Sequence, residues 1–313
     1  MLMRKLIVSL IILSSFAITP AFAQVKIGGF LQGLYGARLD DKNPTATEYT
    51  AAESRLQLRL EHSGSNAEFS GKVDFFYDDA DIQTYDWELR EGFLKFRLGN
   101  NVDFKAGRQI LTWGTGDLIF INDVFAKDYR SFFVGRDDQY LKAPQDAIRM
   151  EYYNPLADLA VVWTPRFEPN RLPTGRVLSY YDPLMGEIVG VEATGQPVLP
   201  PAKFDNSEIA ARLSRQIGAF NAALYFYRGF YKNPNGYDLA LQSAIYPRLN
   251  VYGASARGSV AGGVFWLEGG YFHSRDDEKR DNPFLPNSSL TWLAGYERQV
   301  AANLTANLQW QAD

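Results

Sequence analysis

The sequence predicts an all-β fold, a transmembrane antiparallel up-and-down β-barrel. Three observations carry that reading: apolar and polar residues take turns along most of the chain, an export signal precedes them, and tight connections alternate with long polar ones. The alternation is clearest from Arg55 to Phe76. Leu56, Leu58 and Leu60 alternate with Arg55, Gln57, Arg59 and Glu61. After the short turn His62–Asn66, Phe69, Val73, Phe75 and Tyr77 alternate with Glu68, Ser70, Lys72 and Asp74. A period of two puts the apolar side chains on one face of a hairpin and the charges on the other. Repeated along the chain behind an export signal, the dyad suits a cylinder with lipid outside and water inside.

Arg4 and Lys5 precede the apolar stretch Leu6 to Thr19, followed by Ala21-Phe22-Ala23 and then Gln24. That order is a secretory signal peptide over residues 1–23, cleaved after Ala23, with the barrel in 24–313. No later segment holds about 18 consecutive apolar residues, so helical spans are not expected. The 6 Trp, 18 Tyr and 21 Phe fit a protein with aromatic girdles at two membrane interfaces. Zero cysteines in an exported chain exclude a disulfide-stapled module. Without the signal, 30 basic residues meet 36 acidic ones, which argues against a nucleic-acid partner.

We read up to thirteen strands. The first runs from about Ile27 to Leu39, and the second and third form the hairpin above. Near Trp87 to Leu98, Leu94, Phe96 and Leu98 oppose Phe93, Lys95 and Arg97. After Gly99-Asn100-Asn101, Val102, Phe104 and Ala106 oppose Asp103 and Lys105. Simple alternation would turn Arg108 towards lipid, so a bulge at Gly107 is expected to restore it to the interior with Gln109. Ile148, Met150 and Tyr152 oppose Arg149 and Glu151; Leu159, Val161 and Trp163 follow the Asn154-Pro155 turn. Ile209, Ala211 and Leu213 oppose Glu208, Arg212 and Ser214, and Phe220 to Tyr231 returns. Asn250–Arg257, Val264–His273, Leu290–Glu297 and Leu304–Trp310 complete the set, its Gly- and Ala-rich members carrying the faintest pattern.

The tight connections are His62–Asn66, Gly99–Asn101, Asn154–Ala157, Arg215–Gly218, Gly258–Gly262 and Gln299–Ala302. Between them lie the long ones: Asp40–Ala52, Asp78–Tyr85, Gly114–Asp146, Pro165–Asn206, Lys232–Pro247 and Ser274–Ser288. Short turns on the periplasmic side and long loops outside are the pattern of such barrels. By that count the thirteenth strand stops at the outer face at Asp313. Single-chain barrels have an even number, so 14 or more strands are expected in the complete protein and this chain reads as C-terminally truncated.

Gly114 to Asp146 is too apolar for an exposed loop, with Leu118, Ile119, Phe120, Ile121, Val124, Phe125, Phe132 and Phe133. It is expected to fold into the lumen or over its mouth, leaving Asp117, Asp123, Lys127, Asp128 and Arg130 to narrow the passage. Before it stand Ala106-Gly107-Arg108-Gln109 and Leu111-Thr112-Trp113-Gly114. With its Gly-Arg-Gln…Trp-Gly strand end and Asp-rich loop, the chain resembles a family of porin-like bacterial outer-membrane barrels, and more distantly the phosphate-selective and alginate-export porins. The resemblance is firmest over Leu89 to Tyr152. It implies a passive channel or exporter, without cofactor, with Arg108 and Gln109 turned into the lumen. It supplies no substrate; a small polar solute, an anion among the candidates, is what the charged interior suits. It also implies outer-membrane lipid, lipopolysaccharide and the barrel-assembly machinery as partners, although Gln311-Ala312-Asp313 departs from the aromatic ending common in such barrels. A non-conducting barrel serving an envelope transport system is the alternative.

The interior so predicted carries Arg55, Arg59, Lys72, Lys95, Arg97, Lys105, Arg149, Arg212 and Arg257 among acids that include Glu61, Glu68, Asp74, Glu91, Asp103, Glu151, Glu208, Glu268 and Glu297. If Leu60 faces Phe69, Arg55 faces Asp74; if Leu98 faces Val102, Arg97 faces Asp103. Most of these charges read as a self-compensating wall. Lys95 opposite Lys105, with Arg108 above, is the exception that would guide an anion. Enzyme chemistry finds little support: the two histidines, His62 and His273, belong to opposite ends of the cylinder, and no phosphate cradle or metal spacing is present. Arg275-Asp276-Asp277-Glu278 and Asp78-Asp79 with Asp81 are weak cation candidates on loops.

Overall fold

The computed structural model describes residues 25–39, 48–81, 84–116, 118–173, 175–182, 186–190 and 196–313; the export segment and Asp117 lie outside them. Thirteen strands form one antiparallel sheet, each beside the next in sequence. They are β1 (Val25–Ala37), β2 (Tyr49–Ser63), β3 (Ala67–Asp78), β4 (Thr84–Leu98), β5 (Val102–Ile110), β6 (Pro144–Tyr152), β7 (Asp158–Thr164), β10 (Glu208–Ile217), β11 (Phe220–Phe230), β14 (Arg248–Val260), β15 (Gly263–Ser274), β16 (Ser289–Ala301) and β17 (Leu304–Ala312). Two small hairpins sit in long loops: β8 (Tyr180–Asp182) with β9 (Glu187–Val189), and β12 (Gly236–Asp238) with β13 (Ser243–Ile245). The first lies within the long connection Pro165–Asn206 and the second within Lys232–Pro247. β1 and β17 are the two edges of the large sheet. No described helix is long and apolar enough to cross a membrane, which leaves crossing by strands untouched.

Burial along β2 and β3 is inverted relative to a soluble protein. Leu56, Leu58 and Leu60 are 41%, 48% and 41% exposed, whereas Arg55 is 3% and Asp74 0% exposed. Charged residues are almost never covered unless paired, and a continuous uncovered apolar face needs a partner medium. Rings gather at both ends of the outward face. Tyr77 and Tyr85 lie 4.8 Å apart near the long loops, and Phe96 stacks on Phe104 at 5.5 Å near the short turns. An apolar band between aromatic girdles is how a barrel wall meets lipid.

The short connections 64–66, 99–101, 153–157, 218–219, 261–262 and 302–303 share one end of the sheet, as expected. The turn at 261–262 holds Ala261 and Gly262 at φ 49° and 77°, the left-handed geometry that matches a two-residue hairpin to the strand twist.

Two expectations about register are corrected. The bulge predicted at Gly107 is absent there: pairing runs unbroken through Phe93–Gly107 and Gly107–Ala147. The irregularity lies in β4, where Lys72 faces Glu91 and Val73 faces Leu89, leaving Arg90 as the extra residue. β5 therefore keeps strict alternation, which puts Gln109 inward and Arg108 on the outward side. The β2–β3 hairpin is also shifted by two from its expected register, with His62 opposite Phe69 and Gln57 opposite Asp74. Arg55 still reaches Asp74 diagonally, at 2.8 Å. Arg97 faces Asp103 as expected and binds it at 2.6 Å.

Candidate functional site

The connection between β5 and β6 folds inward where its apolar side chains pack on the inner wall, while Leu118, Phe132 and Phe133 stay exposed. Leu111 and Phe125 join Val162, Ala210, Tyr227, Leu249 and Val251, from β7, β10, β11 and β14. Ile121 packs with Trp266 of β15 and Leu293 of β16. Further along, Tyr140 reaches the other side. Its ring lies under the Arg55 guanidinium at 4.5 Å, and its hydroxyl accepts from Gln57 at 3.4 Å. One loop thus touches β2 on one side and β14–β16 on the other, so the sheet curls around it.

Polar contacts fasten both ends of that bridge. The Glu268 carboxylate accepts from the Asn122 N–H at 2.7 Å, the Thr115 hydroxyl at 2.7 Å, the Gly116 N–H at 3.2 Å and the Thr115 N–H. Arg257 donates to the Thr115 carbonyl at 3.0 Å. Small residues on the wall make room: a Cβ on Gly253 would lie 1.6 Å from Asn122 Oδ1, and one on Gly270 2.8 Å from Ile121 Cγ2. On the far side Glu53 pairs with Arg55 at 2.7 Å and with Arg136 of the loop at 2.6 Å, while Arg136 also meets Asp78 at 3.0 Å. Covered charges of this kind persist only as complete pairs.

Several residues expected to narrow the passage instead build the loop. Lys127 is buried and pairs with Asp123 at 3.0 Å; its ammonium also donates to the Phe125 carbonyl at 2.8 Å. Burial pushes the Lys127 pKa below the usual lysine value. Asp128 caps a one-turn helix, α1 (Tyr129–Phe133), by accepting from the Ser131 N–H at 2.8 Å, and it meets Arg171 at 3.4 Å. These three groups are almost wholly covered, each beside a charged partner. Arg130 remains half-buried, paired with Asp81 at 3.2 Å. Asp117 lies outside the described residues.

Below the loop, towards the short turns, inward positions fall into rows across β4, β5 and β6. Lys95 faces Lys105, and Lys105 faces Arg149. The row borders a cavity of about 240 Å³ lined also by Glu68, Phe93, Asp103 and Glu151. Lys95 reaches Asp103 at 3.6 Å, and Arg149 pairs with Glu151. Lys105 makes no ion pair among the described residues; its ammonium sits 3.6 Å above the Phe93 ring. Lys72 pairs with Glu91, and the more exposed Arg59 with Glu61 at 3.6 Å. Arg212 donates to Asn221 at 3.4 Å and lies 5.9 Å over Tyr225.

Two candidates stand apart from this row. Gln109 is inward but wholly covered at the root of the loop, donating to the Ala147 carbonyl at 3.0 Å. Arg108 is on the outward side near the long-loop end. There it donates to the Leu89 carbonyl at 2.8 Å and pairs with Asp146 at 3.2 Å and Glu168 at 3.3 Å. A lipid-facing arginine costs about 2–4 kcal/mol at mid-bilayer but only about 0–1 kcal/mol near an interface. Depth and two carboxylates make the outward position tolerable.

A second cavity, of about 260 Å³, opens nearer the long loops, where Arg130, Arg136 and Arg171 face Asp78, Asp81 and Glu88. Arg136, Tyr140, Arg171 and Glu268 went unmarked as functional positions in the sequence. Glu268 stood among the inward acids, but its loop partners are more than a hundred residues away, and no local pattern announces them.

No protein-family model matches the chain, and no curated protein matches it. Among solved structures it is similar to Salmonella typhi OmpF in complex with daunomycin, with 8% identity over 92% of this chain and 76% of that one and a TM-score of 0.47. It is also similar to the high-pH structure of Pseudomonas putida OprB, with 15% identity, 92% and 87% covered and a TM-score of 0.37. A third likeness is to OmpT, an outer membrane protein of Vibrio cholerae, with 12% identity, 93% and 88% covered and a TM-score of 0.37. At such identities and scores, function has to be argued from this chain's own residues.

Proposed function

We propose that the chain is a porin-like channel of the bacterial outer membrane, without catalytic activity, through which a small polar solute diffuses passively. On this reading residues 1–23 are an export signal removed after Ala23, and 24–313 belong to the barrel. The observation that carries it is the inverted wall: paired charges inside, uncovered leucines and rings outside, and a loop folded across the interior. Such an inner face replaces bulk water at a constriction and passes a solute by weak, repeated contacts. The Lys95–Lys105–Arg149 row favours an anion, because like charges in register repel unless a counter-charge joins them. Its acids, Asp103 and Glu151, moderate that preference.

Swelling of proteoliposomes in isosmotic solutions of equally sized anionic, neutral and cationic solutes tests this. Uptake fastest for the anion supports the full reading. Equal uptake of all three leaves a channel without the anion preference, and no uptake by folded protein removes the channel. One observation favours the alternative of a non-conducting partner module: the loop is fastened to both walls, at Glu268 and at Glu53. Under that reading the same liposomes do not swell at all.

A further inference from the structure

Three arginines gather on the outward face where β11, β14 and β15 meet the long loops. Arg248 opens β14, and the N–H of Arg275, one residue beyond β15, donates to its carbonyl at 3.1 Å. Arg228 of β11 lies opposite Asn250, the next outward position of β14 after Arg248. Asn250 is opposite His273 on its other side. The alternate residues Tyr227, Leu249 and Ser274 are buried on the inner side, which fixes the arginines as outward.

No described carboxylate forms an ion pair with any of the three. Asp276 stands beside them with one oxygen engaged by the Arg248 backbone N–H at 2.7 Å. Burial first, then the charges of Arg228 and Arg248, hold the Arg275 pKa below the usual guanidinium value despite the opposing charge of Asp276. Clustered like charges are unfavourable unless an anion joins them, and guanidinium forks match phosphate oxygens two at a time. Just towards mid-membrane lie Tyr252 and Phe226, ring centroids 5.5 Å apart, and Tyr271 opposite Tyr252. Aromatic side chains on a lipid-facing wall mark headgroup depth.

We infer that Arg228, Arg248 and Arg275 form a binding site for the phosphoryl groups of the outer-leaflet glycolipid, lipopolysaccharide. The sugar phosphates would lie across the arginines while the acyl chains run down the outward leucines, a combination that a free phosphate ion cannot reproduce. The inference rests on the outward face meeting the membrane, not on conduction.

The test uses the full-length protein folded in detergent, with lipopolysaccharide, its enzymatically dephosphorylated form, and inorganic phosphate as competitor. Retention of the phosphorylated lipid is expected, with binding about tenfold or more weaker, or at least about 1.4 kcal/mol, for the dephosphorylated form and for the Arg228→Gln/Arg248→Gln/Arg275→Gln variant. Equal binding by that variant overturns the site, as does complete displacement of the lipid by millimolar phosphate. Should the triple variant fail to fold, Arg248→Gln alone removes the middle charge and serves the same comparison. Quenching of the outward Trp87, Trp292 and Trp310 by brominated acyl chains reports separately whether the outward face meets lipid.

Discussion

The carboxylate of Glu268, on β15, accepts the backbone N–H of Asn122 at 2.7 Å and so pins the middle of the long loop to the wall far from the strands that carry it. The same side chain takes the Thr115 hydroxyl and the Gly116 N–H. Replacement by alanine leaves several donors without a partner, at about 1–3 kcal/mol for each one that stays buried. Glu268→Ala is therefore expected to loosen the loop, seen as larger and noisier single-channel steps. Steps indistinguishable from wild type would mean that the loop is held elsewhere.

Arg55 and Asp74 are almost wholly covered and bind at 2.8 Å. Removing one partner of such a pair costs roughly 3–5 kcal/mol, whereas replacing both by apolar residues is often nearly neutral. Asp74→Ala should lower the urea midpoint of the folded protein well below that of Arg55→Met/Asp74→Leu. Equal midpoints for the two would show that the ion pair is not what the fold depends on here.

Lys105 and Arg108 are three residues apart but are assigned opposite sides of the wall. Lys105→Glu should shift the reversal potential in a salt gradient towards cations, and Arg108→Ala should leave it unchanged. A comparable shift from Arg108→Ala would return that residue to the interior.

Burial and then the charge of Asp74 push the Tyr140 phenol above its ordinary pKa of 10.0. Between that value and the raised one, the folded state keeps a proton that the unfolded state has lost. The contribution is thus complete below the ordinary value and declines as pH rises through the window. Tyr140→Phe should make the alkaline loss of stability less steep, as followed by urea unfolding at stepwise higher pH. The same decline in both proteins would remove Tyr140 as its source.

The strand count and the alternation of tight and long connections were legible because a wall with lipid on one side repeats every two residues. β14, β15 and β16 read faintly for a reason now visible. Gly253, Gly270 and Gly295 occupy inward positions that Asn122, Ile121 and the Trp266 ring closely approach. The signal was thinned by close packing on the inner face, against the loop and against a ring of the neighbouring strand, not by weaker strand character. The bulge was misplaced because a glycine suggested it at Gly107. The actual extra residue, Arg90, is retained by the carbonyls of Gln139 and Lys142, at 2.8 and 3.2 Å. Those partners lie some fifty residues on, beyond any local pattern. Asp123 and Lys127 misled in the opposite way: an i,i+4 pair looks like free charge in a sequence, and here the loop buries it whole.

Single-channel recording of the mature full-length protein in planar bilayers, beside a variant lacking Phe120 to Gly135, tests the central claim most directly. The channel reading predicts steady ohmic steps that grow when the segment is removed. Folded protein that yields no steps, with or without the segment, would contradict it.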